Sequence, residues 1–127
     1  MLLGTIAIAG LMSLSNVSAA ELPASSRAEV EALLNRLAAS GCQFSRNGSW
    51  YSAQEAKSHL TKKLDYVLEK KMVSSSEQFI ELAASKSSMS GKPYQVKCGN
   101  QAAQDSATWL QGALKDLRAN KTGADKK

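Results

Sequence analysis

Few side chains in this 127-residue chain have the types and spacing that chemistry needs. His59, the single histidine, lies one helical turn after Glu55 and one before Lys63. An imidazole can serve as a general base, but no serine or cysteine nucleophile is implied beside it, so a surface histidine is the reading set against catalysis. The loop SSMSGKPYQVKCG, Ser87 to Gly99, gathers hydroxyls, a glycine and a lysine. A phosphate-gripping loop would continue from Lys into Ser or Thr and then into a helix, so that the first free N–H groups face the phosphates. Here Pro93 follows Lys92 and an alternating strand pattern comes next. The loop therefore reads as a helix-to-strand connection, with Gly91 taking a backbone conformation other residues avoid. In the minority reading its hydroxyls and Lys92 receive an anion or a sugar.

The remaining candidates weaken on inspection. One histidine and two cysteines do not make a tetrahedral metal set, and no cofactor is implied. Glycoside hydrolysis needs two acids facing a cleft, whereas Glu55, Asp65, Glu69, Glu77 and Glu81 fall at helix starts or on polar faces. Lys62, Lys63, Lys70 and Lys71 form two doublets on the long helix that follows Ser52, without the aromatics that nucleic-acid binding interleaves with charge. They read as a solvated face, and no nucleic-acid partner is expected. The net charge of +5 leaves room for weak attraction to anionic envelope polymers.

The elements that must position these groups are legible from periodicity. Ser26 and Glu29 have capping-box spacing, and Val30, Leu33, Leu34 and Leu37 repeat on one helix face, ended by Gly41. In CQFSRNGSWY a short strand carries Cys42, Phe44 and Arg46 on one face, and Asn47-Gly48 makes a turn. Ser52 and Glu55 cap the second helix, striped by Ala53, Ala56, Leu60, Leu64, Val67 and Leu68. Serines 74–76 start a shorter helix burying Phe79, Ile80 and Ala83. Tyr94, Val96 and Cys98 alternate on a second strand, and a last helix from about Asp105 to Arg118 carries Ala107, Leu110, Ala113, Leu114 and Leu117.

The uncharged start, MLLGTIAIAGLMSLSNVSAA, is an apolar run closed by small residues, the pattern of a secretory signal peptide cleaved after Ala20, although no Lys or Arg precedes it. Serines and Asn16 break the run too early for a spanning helix, so no stable membrane insertion is expected after cleavage. Export puts Cys42 and Cys98 where disulfides persist. Antiparallel pairing of Cys42-Gln43-Phe44 with Val96-Lys97-Cys98 would bring them into bridging range, and no C-x-x-C exists to make a redox pair.

Together these blocks resemble the YfeK-like family of small secreted proteobacterial proteins, a domain of unknown function. The resemblance rests on RNG (Arg46 to Gly48), EA-x-x-HL (Glu55 to Leu60), EQFI (Glu77 to Ile80) and SGKPY (Ser90 to Tyr94). It implies export to the periplasm and directs attention to Arg46, Asn47, His59, Ser88, Ser90, Lys92 and Tyr94 as candidate binding residues, with Gly91 among them. Antiparallel strands place the Asn47 turn and the serine loop at one end of the ribbon, with His59 a helical turn or two away.

The expectation is thus residues 1–20 as signal peptide, one α+β domain over 21–118 with about four helices, a two-stranded antiparallel ribbon and a Cys42–Cys98 disulfide, and a disordered tail over 119–127. The expected function is a non-enzymatic periplasmic binding or accessory module whose partner is an envelope protein or an anionic or sugar polymer. The alternatives are an immunity or inhibitor protein against an envelope-directed toxin or hydrolase, and a hydrolase using His59.

Overall fold

A computed structural model describes residues 21–124, so the predicted signal peptide lies outside the described residues. Four helices, α1 (Ala24–Ala39), α2 (Ala53–Glu69), α3 (Ser76–Ala83) and α4 (Ser106–Ala124), pack with a small sheet of β1 (Gln43–Arg46), β2 (Ser49–Ser52), β3 (Gln95–Lys97) and β4 (Gln104–Asp105). The sheet order is β2-β1-β3-β4 and every neighbouring pair is antiparallel. No described helix is long and apolar enough to cross a membrane.

The expected ribbon is the centre of this sheet. Phe44 pairs with Val96 and Gln43 with Lys97, which carries the chain outward to Cys42 and Cys98, bridged with their Cα atoms 4.3 Å apart. The sheet is wider than two strands. Asn47 and Gly48 both have positive φ, 52° and 83°, as a two-residue type I′ turn requires, and that turn folds SWYS back as β2. The two-residue β4 closes the other edge against β3.

The helical stripes meet in one core. Val30, Leu33, Leu34 and Leu37 of α1 are buried, as are Leu60, Leu64 and Val67 of α2, Phe79 and Ile80 of α3, and Leu110 and Leu114 of α4. Phe44, Tyr94 and Val96 join them from the sheet side. Caps hold where the chain needs them: the Ser52 hydroxyl accepts from the Glu55 N–H at 3.1 Å, and Ser75 does the same for Gln78. Gly41, at φ 70°, turns the chain out of α1.

Two expectations change. The Ser26–Glu29 capping box does not form; α1 starts earlier, at Ala24 after Pro23, and has no side-chain cap. Glu29 turns instead to the helix interface, where Ser76 Oγ donates to it at 2.6 Å and Arg118 grips it through Nε (3.0 Å) and Nη2 (2.8 Å). The same guanidinium donates twice to Glu77, so one side chain of α4 ties α1 to α3. A long-range bidentate pair thus takes the carboxylate that local spacing assigned to a cap. The last helix also continues past Arg118 to Ala124, so the predicted tail is helical over most of its length.

Candidate functional site

The face of the sheet turned toward α2 carries the candidate site. Phe44 and Arg46 are two residues apart on β1 and share a face, and Tyr51, opposite Phe44, shares it too. Phe44 goes into the core, while the Arg46 guanidinium reaches the rim and lies 5.2 Å from the centre of the Tyr51 ring. On α2, His59 and Lys63 are one turn apart at the margin of the buried stripe, so both side chains reach the same neighbour. That neighbour is Tyr94, whose ring packs 5.0 Å from Phe44 and edge-on to His59 at 5.7 Å.

Hydrogen bonds thread these groups into one chain. Arg46 Nη1 is 2.7 Å from His59 Nδ1. A guanidinium only donates, so Nδ1 must accept, and in the neutral ring the proton then sits on Nε2. Nε2–H donates to the Tyr94 hydroxyl at 3.0 Å, and Lys63 Nζ donates to the same oxygen at 3.0 Å. Lys63 also donates to the Lys86 carbonyl at 3.1 Å, which ties the start of the serine loop to the cluster.

Electrostatics agree with a neutral ring. Partial burial, then the positive charges of Arg46, Lys63 and Lys62, push the His59 imidazole down from 6.5 to about 4. Burial and Arg46 push the Lys63 ammonium down, and burial pushes the Tyr94 phenol up against the opposing pull of Arg46. His59 is therefore neutral at ordinary pH, among cations. Arg46, Lys62 and Lys63 form no salt bridge among the described residues, and the Glu55 carboxylate nearby accepts from Ser52 Oγ at 3.1 Å.

A cleft of about 250 Å³ opens here, lined by Phe44, Arg46, Tyr51, Glu55, His59 and Lys62 among others. No group of three or more His, Cys, Asp or Glu among the described residues could hold a metal ion.

The seven candidates read from the sequence divide into three groups. Arg46, His59 and Tyr94 are brought together, with Tyr94 buried as the hub that orients His59 and Lys63. Asn47 and Ser90 meet 2.6 Å apart, so the β1–β2 turn and the serine loop do lie at one end of the sheet. Ser90 Oγ also accepts from the Lys92 N–H, Ser87 Oγ accepts from the Ser90 N–H, and the Gly91 N–H closes on the Ser87 carbonyl. The loop's hydroxyls at 87 and 90 thus hold its own shape. Ser88 and Lys92 are exposed outside the hydrogen-bonded chain. Lys62, Lys63 and Tyr51 are additions that the sequence reading missed. The lysine doublet suggests a solvated face for Lys63; its i,i+4 relation to His59 is the signal that points the other way.

The family model of the family of unknown function DUF5329 matches residues 24–118, which takes in α1, α2, α3, the whole sheet and α4 as far as Arg118. The chain belongs to this family. The matched span of this chain takes in Arg46, His59, Lys63 and Tyr94 as well as Cys42 and Cys98. The chain is also similar to the uncharacterised protein YfeK of Salmonella typhimurium strain LT2, at 41% identity over 76 residues, 59% of this chain and 62% of that protein. It thus spans about three-fifths of the length of the curated relative it matches. No solved structure matches the chain.

Proposed function

We propose that this DUF5329 protein is a non-enzymatic binding module of the bacterial envelope, exported to the periplasm, that captures an anionic group in the cleft between β1–β2 and α2. One observation supports the reading above others: Arg46, Lys62 and Lys63 stand around a neutral imidazole with no acid in a salt bridge to any of them among the described residues. Gathering like charges costs free energy in the folded protein, and a bound anion offsets that cost. Arg46 supplies the planar fork that suits carboxylate or phosphate, held by the Tyr51 ring and by His59.

Hydrolysis by His59 gains nothing from this geometry. The Nδ1 lone pair receives Arg46, Nε2–H is engaged by Tyr94, and a ring pushed down to about 4 is a weak base at neutral pH. The inhibitor reading has one observation in its favour. The serine loop is closed by its own hydrogen bonds, pinned to Asn47, and exposes Met89 almost fully, the shape of a blocking finger.

Both readings meet in one experiment, capture from envelope extract by the mature oxidised domain. The anion reading expects a ligand retained by the wild type and lost with Arg46→Ala plus Lys62→Ala. Retention indifferent to those changes but lost with Met89→Gly would favour the blocking loop. No retained ligand, or one indifferent to all three changes, would overturn both.

A further inference from the structure

A second depression adjoins the cationic cleft and differs from it in chemistry. It is an open groove of about 450 Å³ that shares His59 and Lys62 with the cleft and continues over Tyr66, Met72 and Leu82 to Ser88 of the loop. Among the described residues five large apolar side chains are exposed, and three of them, Tyr66, Met72 and Leu82, line this one groove. Clustered exposed apolar side chains mark a contact surface where scattered ones do not. The charge lies at one end, the apolar shelf at the other.

We infer that the anionic group is carried by a protein segment, with an acidic side chain at Arg46 and Lys62 and an apolar side chain two residues away lying on Tyr66, Met72 and Leu82. This rests on the anion-binding reading above. The spacing follows from the helix that builds the site. Lys62 and Tyr66 are four residues apart on α2, an axial rise of about 6 Å. An extended chain repeats its side chains on one face every two residues, about 6.7 Å, so an acidic residue at i and Leu or Phe at i+2 span the two sites together.

The shape of the groove favours a side chain over a lipid. An acyl chain gains its affinity from an enclosed channel, whereas Tyr66, Met72 and Leu82 each keep roughly half their surface in solvent, at 55%, 44% and 47%. Such a shelf accepts one or two side chains at a time. Methionine in it adapts to branched or aromatic occupants alike.

The test titrates the isotope-labelled oxidised domain with the peptide acetyl-Ser-Glu-Ser-Leu-Ser-amide, with its Glu→Gln and Leu→Ser counterparts, and with phosphatidylglycerol vesicles. The full peptide is expected to shift the resonances of both sites and to bind about tenfold more tightly than either counterpart, a difference of about 1.4 kcal/mol. Met72→Ser plus Leu82→Ser, both exposed positions that leave the core intact, should erase the advantage of Leu while keeping the weaker binding of the acid-only peptide. Equal affinity of the full and acid-only peptides would overturn this inference and leave the anion reading standing. No shift at Arg46 or His59 with any peptide would overturn both. Vesicle binding that depends on Met72 and Leu82, with the peptides silent there, would assign the groove to lipid and overturn the peptide assignment.

Discussion

Replacing His59 by Gln should flatten the acid side of the stability profile, and the size of the effect follows from the site. In the folded protein the imidazole is pushed down to about 4 by partial burial and by Arg46, Lys63 and Lys62, against 6.5 in an unfolded chain. The folded state therefore binds fewer protons than the unfolded state between those limits. Its stability is fully present above pH 6.5 and falls as the pH drops toward 4. Taken in full, the difference is worth about 3 kcal/mol, of which about 2 kcal/mol is lost by about pH 5. The ring is only partly buried and its neighbours are hydrated, so solvent screening brings the loss at about pH 5 to about 1 kcal/mol. Glu29 and Glu77, held below their ordinary 4.5 chiefly by Arg118, contribute stability above that value and lose it only at lower pH, so the two windows separate. Urea denaturation of the oxidised domain measures this directly. The wild-type midpoint should fall by on the order of 0.5–1 M between neutral pH and about pH 5. His59→Gln, which keeps an acceptor and a donor without a titrating proton, should hold its midpoint over the same range. Parallel curves for the two proteins would refute the claim that a neutral imidazole is held among uncompensated cations.

Three further outcomes are expected. Reducing the Cys42–Cys98 bridge, or replacing both residues by Ser, should cost about 4 kcal/mol in the chain-entropy picture for a closed loop of this length, read as a lower urea midpoint; a loss under about 1 kcal/mol would mean that the paired strands hold the fold without it. Arg118→Ala removes two bidentate pairs, yet these sit at a partly exposed interface, so the expected loss in the urea midpoint at neutral pH corresponds to about 1 kcal/mol and should shrink as the pH falls below 4.5 and Glu29 and Glu77 protonate. Ser106→Ala should be neutral or stabilising by up to about 1 kcal/mol in thermal denaturation, because the buried Ser106 hydroxyl has no hydrogen-bond partner among the described residues; a clear loss would reveal a partner it does have.

How much of this could be read from the chain depends on the range of the interaction. The stripes of α1, α2, α3 and α4 were legible because a 3.6-residue period is local, and the register of Phe44 against Val96 was legible because one alternating segment begins with a cysteine and the other ends with one. Strand β2 escaped although Asn47-Gly48 announces a hairpin. Its residues Ser49–Ser52 bury neither face completely, so no alternation marks them, and β4 is too short to carry a pattern. Glu29 shows how local spacing misleads: it fits a capping box with Ser26, but its partner is Arg118, at the other end of the chain. The site was half legible. Arg46 and His59 were singled out, but their meeting through Tyr94, and the recruitment of Lys63, require three elements to be placed in space.

The central claim is that the cleft of Arg46, His59 and Lys62, with Lys63 beside it, is an anion site, and the most direct measurement is the His59 titration followed by NMR with and without inorganic phosphate. A bound anion favours the charged imidazole, so the titration should begin near 4 without phosphate and move upward with it, accompanied by shifts at Arg46 and Lys62 that saturate. A His59 that titrates near 6.5 in its absence, or that stays where it is as phosphate is added, would contradict the account.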